Sequence, residues 1–301
     1  MSKITILGIF VADISFSGDK IPDVGESILG DSYNIGSGGK GCNQAIAISR
    51  LGGKVNFISK VGNDEYGKLA INTLKKNNID TSNIIISDEH KTGVAGIHVD
   101  KNTGKNSIII VRGAPSNLTL DEINIDLIKQ SKIFLTQLEA PLDITLNCLK
   151  IAKKNGLINI LNPAPACELS SDFFRLIDYF TPNETEAEFY TSIKINNIDD
   201  AKKSAKKLIK MGIKNVIITL GEKGSFYSNG KEEIYIEANR VKVVDTTGAG
   251  DAYNGGFSLA LLKGKKIKDC LELANTVAGL STTKFGAGDS MPALHEINKK
   301  V

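Results

Sequence analysis

Short apolar runs rich in β-branched side chains alternate along the chain with longer segments whose apolar positions recur every three or four residues. The short runs lie at residues 4–7, 55–58, 133–135, 157–161 and 216–220. The longer segments lie at residues 43–51, 66–77, 144–154, 200–211 and 251–263. This alternation predicts βαβ units, and therefore an α/β fold with a mostly parallel central sheet flanked by helices on both faces.

Two segments in the first half of the chain interrupt the alternation. Residues 13–36 are rich in Gly, Asp and Ser and are too long for an ordinary connection between a strand and a helix. Residues 92–112 contain two apolar runs around a polar turn at Gly104, which is typical of a β-hairpin. We expect a single domain over residues 1–301, in which these two segments form a small β-sheet that acts as a lid.

Composition and charge narrow the class of protein. A chain of 301 residues with 41% hydrophobic content can bury one large core. The 37 Lys and Arg exceed the 34 Asp and Glu by only three, which argues against a nucleic-acid or membrane partner. The N-terminus enters an apolar strand pattern without a cationic leader, no stretch is long enough to cross a bilayer, and the cysteines form no CxxC pair. We expect a cytoplasmic enzyme.

The strongest chemical motif is the octapeptide Val-Asp-Thr-Thr-Gly-Ala-Gly-Asp at residues 244–251, where an apolar strand is expected to run into a Gly-rich turn and then a helix. The small residues Gly248, Ala249 and Gly250 allow backbone N–H groups to converge at the helix N-terminus, which favours an anion. Asp251 alone would be an ordinary helix-start residue. The whole octapeptide resembles the C-terminal signature of the ribokinase (PfkB) family of carbohydrate kinases. The resemblance implies that Asp251 is the catalytic base and that the three preceding residues form an anion hole.

A second Gly-rich motif opens the helix at residues 43–51. Its sequence is Gly-Ser-Gly-Gly-Lys-Gly-Cys-Asn-Gln at residues 36–44. A P-loop requires Ser or Thr after the Lys, whereas Gly41 stands there, and a dinucleotide fingerprint would follow a parallel strand. Taken alone, the motif is compatible with a tight turn and a helix cap. It also resembles the N-terminal signature of the same family, which implies that Gly39, Lys40 and Asn43 face the sugar hydroxyls.

Three further positions bear on the sugar. Glu139 follows an apolar run, at the strand end where open α/β sheets gather ligands, and Asp13 follows the first strand. The resemblance implies that both contact the sugar, although Asp13 alone would be read as a turn residue. Val11 stands where family members that phosphorylate ribose commonly carry Asn, and its side chain cannot bond a hydroxyl. The segment at residues 162–166 resembles those same ribose-phosphorylating members.

The remaining motifs bear on the nucleotide and on metals. Asn183 and Glu186 have the spacing of a helix capping box, which needs no function. The resemblance implies instead that Glu186 holds Mg²⁺ through water, which suits a cation that keeps much of its hydration. It implies nucleotide contacts at Asn183, Thr219, Gly221, Gly224, Gly250 and Asn275. It also implies a loop for a monovalent cation such as K⁺ at Asp245, Thr247, Ser281, Lys284, Gly286 and Ser290.

The resemblance implies an ATP-dependent sugar kinase that acts on the 5-hydroxyl of D-ribose. The alternatives are a family kinase for fructose, another pentose or a nucleoside, and a sugar-binding regulator without catalysis. A base next to an anion hole argues against the regulator, which would need neither. The apolar residues of the hairpin at 92–112 favour a homodimer formed through the lid.

Overall fold

A large β-sheet forms the centre of the protein in the computed structural model, which describes residues 3–298. Within that range the strands are β1 (Ile4–Leu7), β2 (Val11–Gly18), β3 (Ser32–Gly38), β4 (Val55–Gly62), β5 (Ile84–Ser87), β6 (Gly93–Asp100), β7 (Asn106–Val111), β8 (Ile133–Thr136), β9 (Ile158–Leu161), β10 (Tyr179–Phe180), β11 (Asn215–Thr219), β12 (Ser225–Ser228) and β13 (Glu233–Ile236).

The α-helices follow the strands in the alternation that the sequence pattern predicts. Those in the described range are α1 (Lys40–Arg50), α2 (Glu65–Lys76), α3 (Ile125–Lys129), α4 (Leu142–Lys154), α5 (Ser171–Leu176), α6 (Glu184–Thr191), α7 (Ile198–Lys210), α8 (Ala249–Leu262), α9 (Ile267–Ser281) and α10 (Leu294–Asn298). No helix in the described range is long and apolar enough to cross a membrane.

The large sheet has the strand order β13-β12-β11-β10-β9-β8-β1-β4-β5. The strands from β11 to β5 in this order run parallel, and β12 and β13 add an antiparallel edge. One apolar cluster packs α1, α8 and α9 on one face, and a second packs α4, α5 and α7 on the other. The predicted α/β class with helices on both faces is therefore confirmed.

The parallel strands end at the same edge of the sheet, and polar side chains follow directly after three neighbouring strands. Gln137 follows β8, Asn162 follows β9 and Thr181 follows β10, and all three are buried. A buried polar side chain needs hydrogen-bond partners, so this edge is built to hold a polar network. Gly39 allows α1 to begin close to the same edge of the sheet. Its φ is 89°, which favours glycine, and a Cβ at this position would lie 2.3 Å from the carbonyl oxygen of Ile9.

A second, four-stranded sheet lies beside this edge in the order β3-β2-β6-β7. Strand β2 pairs antiparallel with β3 and parallel with β6, and β6 and β7 form the hairpin indicated by the sequence. Thr92 ties the start of β6 to the N-terminus of α2, because Asp64 accepts hydrogen bonds from its backbone N–H and its hydroxyl, each at 2.8 Å. That the small sheet acts as a lid stays a prediction.

One predicted element is wrong. Residues 237–247, including the expected strand at Val244, form no ladder with another strand. The backbone N–H groups of Val244 and Asp245 instead bond to the carbonyl of Thr282, at 2.8 and 3.1 Å. Val244 is apolar but 40% exposed, so the β-branched run here reflects an extended segment on the surface rather than a strand in the sheet.

Candidate active site

Asp251 lies in the first turn of α8, with its side chain turned into the protein. The helix is almost entirely apolar, and Asp251 is only 6% exposed. Gly248 caps the helix with a φ of 77°, and a Cβ at that position would lie 3.1 Å from the Cα of Ala287. The first amides of a helix have no acceptor within it, so the backbone of Gly250 and Asp251 presents free donors beside the carboxylate.

Two amide side chains hold the carboxylate of Asp251. Asn43 donates from Nδ2 to Oδ2 at 2.9 Å, and Gln44 donates from Nε2 to Oδ1 at 3.0 Å. The same Nε2 of Gln44 lies 3.2 Å from Oδ1 of Asn162, and Oε1 of Gln44 accepts from Gln137 at 2.6 Å. Every member of this network is buried. The network therefore fixes the orientation of Asp251 at the junction of α1, α8 and two strand ends.

Burial raises the pKa of Asp251 above its ordinary value, while Lys40, Asn43 and Gln44 act in the opposite direction. A carboxyl group with a raised pKa is a better proton acceptor once it is ionised, which suits a general base. The hydrogen bonds from the two amides keep the ionised form accessible in spite of the burial.

Lys40, at the start of α1, supplies the positive charge of the site. Burial alone would lower its pKa, but the carboxylates of Asp251, Glu139, Glu186 and Asp13 raise it above its ordinary value. Its backbone N–H donates to Oε2 of Glu139 at 2.8 Å. The ammonium group therefore stays charged and partly neutralises four carboxylates that would otherwise repel one another.

Glu139 and Asp13 are the two carboxylates expected to contact the sugar. Burial raises the pKa of Glu139 to about 7, with Lys40 opposing it. Burial and the charge of Asp251 raise the pKa of Asp13 to about 6. Within residues 3–298 neither oxygen of Asp13 accepts a hydrogen bond, and Oδ1 of Asn43 is buried without a partner. Asp13 is close enough for the charge of Asp251 to act on it, and unpartnered acceptors of this kind match the donors of a polyol.

A cavity of about 170 Å³ joins the base to the predicted nucleotide residues. It is lined by Lys40, Asn162, Ala164, Thr181, Asn183, Glu186, Thr219, Thr246, Gly248, Ala249, Gly250, Asp251 and Asn254. Asn183 and Glu186 do form the capping box, with bonds of 2.8 and 2.9 Å between each side chain and the other's backbone N–H. The motif is therefore a helix capping box, and the side chains of Asn183 and Glu186 also border the cavity.

Three of the predicted nucleotide residues lie outside this cavity. Gly221 and Gly224 flank the turn between β11 and β12, with φ values of 54° and 107°. A Cβ on Gly224 would lie 2.0 Å from the carbonyl oxygen of Ile236, so close backbone packing explains this glycine. Asn275 donates from Nδ2 to the carbonyls of Ile236 and Glu237, at 3.1 and 3.3 Å. Their nucleotide contacts stay predictions.

The residues of the predicted cation loop only partly converge. Asp245 accepts from the hydroxyl of Thr247 at 2.7 Å and from the N–H of Gly286 at 2.9 Å, and the three residues line a cavity of about 430 Å³ together with Asp13. Ser281, Lys284 and Ser290 do not line it. The ammonium of Lys284 lies 2.6 Å from Glu296, and the two Ser hydroxyls donate to backbone carbonyls at 2.8 Å.

Several buried amide side chains around the base were not predicted from the sequence. Gln44, Gln137, Asn162 and Asn254 were assigned no role, yet each is buried beside the site. Asn254 lies one turn beyond Asp251 and accepts from the hydroxyl of Thr181 at 2.7 Å. The sequence did contain a signal for these residues. Amide side chains that stand at the ends of successive apolar strands, or within an apolar helix, are expected to be buried and to need hydrogen-bond partners.

Comparison with known proteins agrees with this geometry. The sequence profile of the pfkB family carbohydrate kinases matches residues 1–294. The chain belongs to that family. A ribokinase of Haemophilus influenzae is 42% identical to this kinase over 97% of the chain and 96% of the relative. A deoxyribokinase of Salmonella typhi is 33% identical, over 98% and 97%. The structure of Arabidopsis thaliana ribokinase complexed with ribose and ATP superposes with a TM-score of 0.92 at 30% identity, over 99% and 98%.

Replacing Gln44 by Leu tests how this family member holds its base. The change removes a donor to Oδ1 of Asp251, so the ionised carboxyl is less stable and its pKa rises further. A hydrogen bond to a charged group contributes about 1.5–3 kcal/mol, which corresponds to roughly one to two pH units. We expect the acid limb of the kcat/KM profile to move upward by about that amount.

Gln137→Leu is the matched control, because Gln137 is equally buried and bonds to Gln44 but not to Asp251. Thermal unfolding of both variants, followed by circular dichroism, verifies that each one is folded. An acid limb that stays in place in folded Gln44→Leu, or that moves equally in both variants, contradicts a role for Gln44 in positioning the base.

Proposed function

We propose that this kinase transfers the γ-phosphoryl group of ATP to the 5-hydroxyl of D-ribose. The observation that carries the proposal is the buried Asp251, held by two amides at the N-terminus of α8 and next to Lys40. The full-length similarity to ribokinases, including one with ribose and ATP bound, supports the choice of substrates.

The geometry suits a direct in-line transfer. Asp251 accepts the proton of the 5-hydroxyl, whose oxygen then forms the new bond to the γ-phosphorus as the bond to ADP breaks. The backbone amides of Gly248 and Gly250 stabilise charge on the phosphoryl oxygens, which a helix N-terminus favours, while the amide of Ala249 donates to the carbonyl of Thr246 at 3.2 Å. Asp13, Glu139 and the free oxygen of Asn43 accept the other sugar hydroxyls and set the distance to the base.

The donor set fits Mg²⁺ as a bound partner of ATP. Within the described residues no three carboxylate, His or Cys side chains cluster in a way that would hold a metal by themselves. Mg²⁺ usually keeps several waters and relies on one or two carboxylates plus phosphate oxygens. Glu186 suits this role, since its Oε2 caps α6 while the side chain still borders the cavity. When bound, Mg²⁺ would neutralise the charge of the phosphates.

The first test is a coupled ADP-release assay over D-ribose, 2-deoxyribose, fructose, other pentoses and adenosine, with Mg²⁺. We expect the highest turnover with ribose. Asp251→Asn keeps the shape of the side chain but removes the base, so kcat should fall by about 10²–10⁴-fold, the range for general-base catalysis. The KM for ribose should change little.

Asp269→Asn is a matched control for that variant, because Asp269 lies in the first turn of the neighbouring helix α9 but is exposed. It should retain far more activity than Asp251→Asn. If the protein binds a sugar but releases ADP no faster than the background rate with every sugar, the result would favour the non-catalytic regulator over the kinase.

We propose a monovalent-cation site at the loop of Asp245, Thr247 and Gly286, where a carboxylate holds two loop segments together. K⁺ at this loop would stabilise the N-terminal turn of α8, three residues away. We expect KCl to raise kcat several-fold over choline chloride at equal ionic strength. Asp245→Ala should abolish the difference. Equal rates in the two salts would contradict the site.

We propose that the small sheet is a lid over the cleft and that its outer face joins a second copy of the chain. Successive residues of a strand face opposite sides, so the face away from Asp13 carries a set of exposed apolar residues in neighbouring positions. These are Phe16, Tyr33, Ile35, Ile109 and Val111. Exposed apolar surface of this kind, beside the open edge of β7, favours association.

Ile109→Lys tests the dimer, because Ile109 lies on that face in the edge strand β7 and is 72% exposed. We expect light scattering to give twice 32.3 kDa for the unmodified chain and 32.3 kDa for the variant. Phe189→Lys, on α6 and 50% exposed, is the control and should remain dimeric. A single monomeric species of the unmodified chain with ribose bound would contradict the dimer.

We also propose a cytoplasmic location. All four cysteines are unpaired, and three of them are buried, which suits a reducing compartment. Fractionation of cells that produce the protein would test this.

A further inference from the structure

Arg50, in the last turn of α1, joins that helix to the segment that follows α9. Its Nη1 donates to the backbone carbonyls of Asp289 and Met291, at 2.9 and 2.8 Å. Its Nε donates at 2.7 Å to Oδ1 of Asn77, the residue that caps the C-terminus of α2. A guanidinium group presents several N–H donors in fixed directions, so it can hold three acceptors at once. These bonds therefore fix residues 289–291 relative to α1 and α2.

Residues 287–291, which we call the clamped turn, are also held from within and by the small sheet. The hydroxyl of Ser290 donates to the carbonyl of Ala287 at 2.8 Å, which closes the turn. A Cβ on Gly288 would lie 2.5 Å from Oγ of Ser37, near the end of β3, so the backbone of the turn packs closely there. A displacement of the carbonyls that Arg50 holds is therefore passed on to Ala287.

The clamped turn lies directly against the N-terminal cap of α8. A Cβ on Gly248 would lie 3.1 Å from the Cα of Ala287 and 3.2 Å from Cε of Met291, and both of these residues are buried. The backbone amides at this cap are the donors expected to stabilise the transferred phosphoryl group. Their contribution depends on their position, because such donors stabilise charge only when they are already aimed at it.

The helix α1 thus supports both parts of the site from its two ends. Near its N-terminus, Asn43 and Gln44 donate to the carboxylate of Asp251. Arg50 lies about two turns further along and reaches the cap of α8 only through the clamped turn. Loss of the bonds of Arg50 should therefore disturb the amides of the cap and leave the amide donors to the base in place.

We propose that Arg50 is a positioning residue for the anion hole of this kinase. It holds the clamped turn against Gly248 and so fixes the amides that stabilise the phosphoryl group in the transition state. The inference rests on the proposed kinase function and concerns the same site.

Arg50→Lys tests the clamp. The variant keeps the charge, but an ammonium group cannot hold Asn77 and the two carbonyls in the same geometry. We expect kcat to fall by about 10–100-fold, since a displacement of about 1 Å near the reacting groups can cost this much. The KM for D-ribose should change little. The acid limb of the kcat/KM profile should stay in place, in contrast to Gln44→Leu, because Asp251 keeps its donors.

Ala287→Gly is the second variant in case Arg50→Lys does not fold. It removes only the methyl group that lies next to Gly248, where a Cβ would come within 3.2 Å of it. Its kcat should fall in the same direction and its acid limb should also stay in place.

A second measurement needs no turnover. Aluminium fluoride bound with the Mg²⁺ complex of ADP mimics the transferred phosphoryl group, and mimics of a transition state bind more tightly than substrates. In the presence of ribose, the Kd of ADP should therefore be lower with aluminium fluoride than without it. We expect Arg50→Lys to lose most of this difference and to keep its affinity for ADP alone.

Ser49→Ala is the matched control. The hydroxyl of Ser49 donates to the carbonyl of Asn77 at 2.6 Å, so this variant loses a hydrogen bond in the same turn of α1 without a change at the clamped turn. It should leave kcat and the effect of aluminium fluoride unchanged.

Three results would overturn the inference. They are an unchanged kcat in folded Arg50→Lys, an acid limb that moves as far as in Gln44→Leu, and an undiminished effect of aluminium fluoride on the Kd of ADP in that variant. If aluminium fluoride does not lower the Kd of ADP in the unmodified chain, the result contradicts the proposed kinase function instead.

Discussion

The rest of the site depends on one costly interaction, the burial of an ionisable carboxyl at Asp251. A carboxylate that loses its water must gain other partners, or it stays protonated and cannot act as a base. Here the partners come from α1, which brings the amides of Asn43 and Gln44 and the charge of Lys40 to the N-terminus of α8. The packing of α1 against α8 is therefore a requirement of the chemistry as much as of the core.

That requirement extends outward through the sheet. Gln44, which holds Asp251, also bonds to Asn162 and Gln137 at the ends of β9 and β8. Close backbone contact makes this possible, because a Cβ on Gly41 would lie 2.6 Å from the Cα of Gly8. Four elements distant in sequence thus converge on one carboxyl group. The carboxyl edge of the parallel sheet is the place where such convergence is available.

The sequence predicted the parts of this structure that follow from local pattern or from motifs. The five apolar runs became β1, β4, β8, β9 and β11, because buried parallel strands need continuous apolar residues. The short strand β10 and the edge strand β13 were not predicted, since two residues, or a half-exposed run, carry little pattern. At Val244 the apolar pattern was present but no strand formed, because these apolar side chains lie on the surface and not in the sheet.

The site shows why motifs and structure must be read together. Asn183 and Glu186 form a capping box, and the same two side chains border the cavity beside Asp251. The capping role and a role in the cavity are compatible. The cap uses Oε2 of Glu186, whereas Oε1 accepts no hydrogen bond from the described residues. Gln44 is the reverse case, a residue within a recognised motif whose role needs the positions of Asp251 and Asn162. Tertiary contacts of this kind leave no local pattern, so a buried amide in a helix shows only that partners exist and not which ones they are.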